Sequence, residues 1–145
     1  MGPSTALGGA EPTLGDALIV LGHASYGDVE LAVQSIETLA NRLPASLHGS
    51  QKSDSAKEQQ QLAGSVTASV ARLIVNKALE TIQHGIDEVV TAENKRPIYV
   101  VADIVNPDVF VPAQIVVVGG TAPSLGPSIG EYLNVPVTIP DNAAV

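Results

Sequence analysis

A chain of 145 residues with 45% hydrophobic and 15% charged side chains has the composition of a globular protein with a core, not of a disordered one. Its net charge of −8 argues against a nucleic-acid partner, whose phosphates are neutralised by clustered Lys and Arg. The absence of cysteine excludes disulfides, thiolate catalysis and Cys-based zinc sites. The N-terminus lacks the basic and apolar regions of a secretory signal, and apolar runs of about six residues fall short of the roughly 20 that span a bilayer. A cytoplasmic protein with neither membrane nor nucleic acid as partner is expected, organised as a single domain over residues 1–145.

In chain order, residues 1–16 are rich in Gly, Pro, Ser and Thr and read as a loop. Ala17–Gly22 (ALIVLG) is too short for periodicity to separate a buried strand from a buried helix. Asp28 is placed to cap a helix running to about Leu43, with Val29, Ala32, Val33, Ile36, Ala40 and Leu43 on its apolar face. Pro44 ends it, and the polar residues 45–61 read as a mobile connection.

No proline interrupts Lys57–Thr91, where Leu62, Val66, Val70, Leu73, Val75, Leu79, Ile82, Ile86 and Val89 recur at helical spacing. One long amphipathic helix is predicted, with Gly64 and Gly85 as places for close packing or a bend. Ile98–Val105 is rich in β-branched residues and is followed by a turn at Asn106–Asp108. Gln114–Val118 (QIVVV) reads as a strand buried on both faces, residues 124–133 as a helix with Pro127 in its first turn, and Val135–Ile139 as a further strand. Strand, glycine turn, helix and strand make one βαβ unit. Asp141–Val145 looks like a helix start that is cut off, as in a fragment.

Chemistry is sparse. Gly126–Gly130 (GPSIG) matches the nucleophile-elbow pattern, but the strand ends too early and no histidine follows Ser128 to act as base. His23, His48 and His84 form no metal-binding pair. Among the aspartates, Asp16 and Asp103 are the ones to test as single magnesium ligands. Gly119 and Gly120 fit neither standard phosphate loop, since the required lysine and glycine spacings are missing. A glycine pair still lets a ligand approach the backbone closely, and the helix behind it would offer free N–H groups and a positive dipole end.

Three stretches together carry a family resemblance: GGAEPTLGDALIVLG (Gly8–Gly22), QIVVVGGTAPSLGPSIGEYL (Gln114–Leu133) and VPVTIPDNAAV (Val135–Val145). With them the chain resembles the C-terminal part of the ATPase module of the hydantoinase and oxoprolinase family, ATP-dependent enzymes that open cyclic amides. The resemblance covers about a third of the chain directly. It implies an α/β fold of the ribonuclease-H-like, actin-like ATPase class, an incomplete lobe with the long amphipathic helix packed on a small, mostly parallel sheet.

It also implies that Gly119, Gly120, Thr121 and Ala122 contact the adenosine of ATP, held with Mg²⁺ in the complete protein, and that the remaining lobe or subunits of a parent enzyme are partners. Two features depart from the family. Gly15 stands where a threonine is usual, and the D-x-G-G-T phosphate turns are absent. The chain alone is therefore expected neither to hydrolyse ATP nor to open a lactam. The alternatives are an ATPase subunit or reactivator of another enzyme, or a structural module in which the helix stripe forms a homo-oligomer or lobe interface.

Overall fold

A computed structural model describes residues 2–44, 56–96, 101, 105 and 109–143, with the backbone alone for 56–63 and 65. The fold is mixed α/β, mostly helical, with a two-stranded parallel sheet. Its elements are a 3-10 turn at Thr5–Leu7, α1 (Leu14–Val20), α2 (Val29–Arg42), α3 (Ala56–Asn94), β1 (Ile115–Val116), α4 (Ala122–Leu133) and β2 (Val137–Thr138). The chain separates into two compact units, Met1–Ala78 and Leu79–Val145, with the division inside α3.

In the first unit the ambiguous apolar run is a helix, and its ends explain why. Thr13 precedes α1 in extended conformation, and the carboxylate of Asp16, three residues on, accepts from the Thr13 N–H at 2.8 Å. This is the return half of a capping box. At the other end Gly22 adopts φ 74°, its N–H donates to Ile19 O and that of His23 to Leu18 O. Those two bonds make a Schellman stop, which needs a residue tolerant of the left-handed region at that place. The expected loop over 1–16 therefore holds a 3-10 turn and the first residues of α1.

Asp28 caps α2 as expected, accepting from the N–H groups of Glu30 and Leu31 at 2.9 and 3.1 Å. The buried face is narrower than predicted. Ala32, Ile36 and Ala40 are enclosed, while Val29 and Val33 are exposed. α1 and α2 pack on each other, and Ala17, Leu18 and Ile36 are sealed from solvent. Ala6, Ile19 and Ala32 form a small apolar cluster, with Ala24 and Tyr26 against it.

α3 is 39 residues long, roughly 58 Å at 1.5 Å per residue, and already includes 56–61 of the expected connection; 45–55 lie outside the described residues. Thr67, Val70, Ala71, Val75 and Leu79 are buried on it. Towards its end the stripe passes through half-buried Ile82, Ile86 and Val90, and Val89 is exposed. A Cβ on Gly64 or Gly85 would meet nothing within 4 Å, so neither glycine marks a close approach.

In the second unit β1 and β2 pair in parallel, Ile115 opposite Val137 and Val116 opposite Thr138. α4 lies over β2, where glycines make room: a Cβ on Gly126 would stand 2.6 Å from Ile139 Cδ1, and one on Gly130 3.2 Å from Val137 Cγ2. The helix begins at Ala122, two residues before the prediction. Pro123 thus falls in its first turn and Pro127 in its interior, where it cannot donate to the Pro123 carbonyl.

One sequence expectation fails here. β1 is not buried on both faces, since Val116 is 53% and Val118 69% exposed. A two-stranded sheet with one covering helix leaves the alternate residues of β1 without a lid among the described residues. Of the β-branched stretch 98–105 only Val101 and Val105 are described, and both are helical and exposed. The turn at Asn106–Asp108 lies outside the described residues, and Asp141–Ala143 is a turn in which the Ala143 N–H donates to Pro140 O.

Candidate functional site

The glycine turn sits at the carboxyl end of β1. Gly119 has φ 115°, a conformation that only glycine adopts freely, and the space beside both Gly119 and Gly120 is open. No described residue lies within 4 Å of a Cβ built on either glycine.

Donor accounting limits what the turn can bind. The Gly119 N–H donates to Ala143 O at 2.6 Å, that of Ala122 to Gly119 O, and that of Ser124 to Thr121 O, while Pro123 has none. Only Gly120 and Thr121 keep backbone donors with no acceptor among the described residues. The free N–H groups expected at the start of α4 are thus mostly spent within the chain. A phosphate cradle needs several convergent donors, and this turn has two. Thr121 is exposed and its hydroxyl does not cap α4; Ala122 is buried. Of the four predicted residues, Gly120 and Thr121 keep backbone donors with no acceptor among the described residues, Gly119 supplies a positive-φ bend, and buried Ala122 begins the helix.

The second polar concentration is Asp16. Its side chain is fully buried and receives five donors: Thr5 N (3.1 Å), Thr5 Oγ1 (2.7 Å), Ala6 N (3.0 Å), Thr13 N (2.8 Å) and Thr13 Oγ1 (2.9 Å). Thr5 Oγ1 also lies 2.9 Å from Ser35 Oγ on α2, and Ser35 donates to the Ala32 carbonyl. Burial pushes the Asp16 carboxyl up, but the bonds from Thr5, Ala6 and Thr13 outweigh it and hold the group below the usual carboxylate value.

Both oxygens are saturated from within the chain, so Asp16 has no lone pairs to offer magnesium and is too weak a base for proton abstraction. Asp16, one of the two aspartates to test as a magnesium ligand, is set aside for that reason. Asp103 lies outside the described residues. Sequence reading missed the role of Asp16 because most of its donors come from ten or eleven residues upstream; the T-x-x-D spacing at Thr13 was the available signal.

Gly15 also finds a structural reason. A Cβ there would collide with the Tyr26 hydroxyl, which stacks over the first turn of α1. The Tyr26 phenol is itself pushed up by burial and by the charge of Asp16, and stays neutral.

The remaining candidates within the described residues are not gathered into a site. Ser128 lies in the middle of α4, not on a turn, and the two glycines of its G-x-S-x-G pattern are the ones that seat the helix on Ile139 and Val137. His84 lies 3.7 Å from Glu88 on exposed α3 surface, along an open groove that Asp87, Thr91 and Lys95 also line. His23 is exposed, and His48 lies outside the described residues. No group of three potential metal ligands occurs among the described residues, and no helix among them is long and apolar enough to cross a membrane. Comparison with protein-family models, with curated proteins and with solved structures found no match.

Proposed function

We propose that this chain is the adenosine-side part of a ribonuclease-H-like, actin-like ATPase lobe, akin to that of hydantoinases and oxoprolinases, and that Gly119–Ala122 contacts the nucleoside of ATP. The observation that carries the reading is the turn itself. It follows a parallel strand, lies open beside both glycines, and has spent most donors that a phosphate would need. Such a surface suits the flat, weakly polar face of a base or ribose better than a polyanion. Phosphates and Mg²⁺ would be held by segments outside this chain, so the complete protein, not this piece, would couple ATP hydrolysis to opening of a cyclic amide.

Amide-shift titration tests this. Adenosine and ADP should move the Gly119, Gly120 and Thr121 signals with affinities within about threefold of each other, because the phosphates would find no partner here. No movement with either ligand would sink the nucleoside reading. ATP-dependent ring opening by the purified chain would defeat the division of labour.

A second reading is favoured by one observation. Val109, Val111, Val116 and Val118 are all more than half exposed in the second unit, with Phe110 also exposed beside them in sequence. An interaction module, whether the other half of a lobe or an ATPase subunit of another enzyme, would use such a surface. A strictly monomeric chain by light scattering, with no adenosine-dependent shift, would count against both readings.

A further inference from the structure

We propose that Ser4–Gly8 is a latch, held shut on the α1–α2 pair by the negative charge of Asp16 and able to swing out while the two helices stay folded. What holds it is almost wholly polar. Thr5 gives Asp16 its N–H and hydroxyl, Ala6 gives its N–H, and the Ala6 carbonyl accepts from the Asp28 N–H at 2.9 Å. The apolar share is the methyl of Ala6, since Leu7 is 59% exposed.

The helices beneath have their own seal in Ala17, Leu18, Ile36 and Ala40. Segments with few apolar contacts open below the global unfolding free energy. Opening would also leave α1 capped, because Thr13 supplies its two donors to Asp16 from within the helix start.

Two further observations favour an open form. Ser4 is 7% exposed and its Oγ has no hydrogen-bond partner, a cost of the closed state that hydration on opening removes. Gly8 follows in the left-handed region at φ 85° with open space beside it, and is the hinge; Gly9, next in the chain, packs on the Pro3 and Ser4 backbone and donates its N–H to Ser4 O at 2.8 Å, a bond that swinging out must break. Swinging out uncovers Ile19 and Ala32, flanked by Ala24 and Tyr26.

Of the groups that bond Thr5 and Ala6, Asp16 supplies the one carboxylate; the Thr5, Thr13 and Ser35 hydroxyls do not titrate, Tyr26 stays neutral, and Asp28 meets the latch through its backbone N–H while its side chain accepts from the Glu30 and Leu31 N–H groups. Because the folded Asp16 carboxyl is held low, its contribution is complete above the unfolded value of about 3.9 and disappears as pH falls through the folded value.

Hydrogen exchange on the full chain, expressed as observed over intrinsic rate for single amides, tests the latch. Thr5, Ala6 and Asp28 should open at least about tenfold more often than Ile36 and Ala40 at neutral pH. Asp16→Asn should raise opening at Thr5 and Ala6 by a further tenfold or so, with Ile36 unchanged, and Ser4→Ala should lower it several-fold. Should Asp16→Asn not fold, an acid series on the wild-type chain replaces it, and Thr5 and Ala6 should lose protection at a higher pH than Ile36. Equal protection across all five amides, or joint loss in acid, would overturn the proposal.

Discussion

The two units solve the same problem, enclosing a mainly aliphatic core without cysteine or tryptophan, in opposite ways. In the first, a single carboxylate gathers backbone and hydroxyl donors from two separate stretches, and the helices close on Leu18 and Ile36. In the second, β1 and β2 pair with each other, the Gly120 and Thr121 N–H groups have no acceptor among the described residues, and Val116 of β1 and Val118 just beyond it are exposed. The first unit spends its polar interactions on tertiary closure. The second, among the described residues, covers one side of its sheet and leaves Val116 on the other exposed.

The sharpest way to break this comparison is to remove a side chain from the closed core. Ile36→Ala should cost about 2–5 kcal/mol in urea unfolding, the range for a fully buried aliphatic residue, and a cost below 1 kcal/mol would mean that the α1–α2 seal is not tight. The equivalent test in the second unit is addition. Gly126→Val should cost about 1–3 kcal/mol, since the new atoms meet Ile139 and Val137.

Backbone conformation gives a smaller contrast. Gly119→Ala should cost about 1–2 kcal/mol because of its positive φ, whereas Gly120→Ala, with open space and no such constraint, should be within about 0.5 kcal/mol of neutral. Smallest of all should be Val118→Ser, within about 0.5 kcal/mol for an exposed side chain. A cost above 1 kcal/mol there would mean that the outer face of β1 is covered in solution.

Much of this fold can be read along the chain, and what cannot has a physical reason. α2 and α3 are legible because both are long enough for a 3.6-residue pattern to repeat, and Asp28 marks a start that its own side chain enforces. α1 is not, because seven residues hold barely two turns. What decides it is punctuation, Thr13 and Asp16 before and Gly22 after, not hydrophobicity.

The outward face of β1 is invisible in Gln114–Val118, since an apolar run says that cover is wanted and not that cover is supplied. At the glycine turn, the bend at Gly119 follows from residue type. The donor count depends on the Ala143 carbonyl, 24 residues further on, and on where α4 begins. Asp16 is the plainest omission. A carboxylate next to an apolar run looks like a ligand until its five partners are found.

The glycines four residues apart on α4 have a consequence for how this chain tolerates change. In an enzyme that uses G-x-S-x-G, saturation mutagenesis finds the serine intolerant for activity. Here the profile should invert, with substitutions at Gly126 and Gly130 depleted by any fold-dependent selection and those at Ser128 largely retained, because helix–strand contact occupies the glycine positions. A motif is defined by which of its letters selection refuses to change, and by that measure GPSIG is a spacer between a helix and a strand.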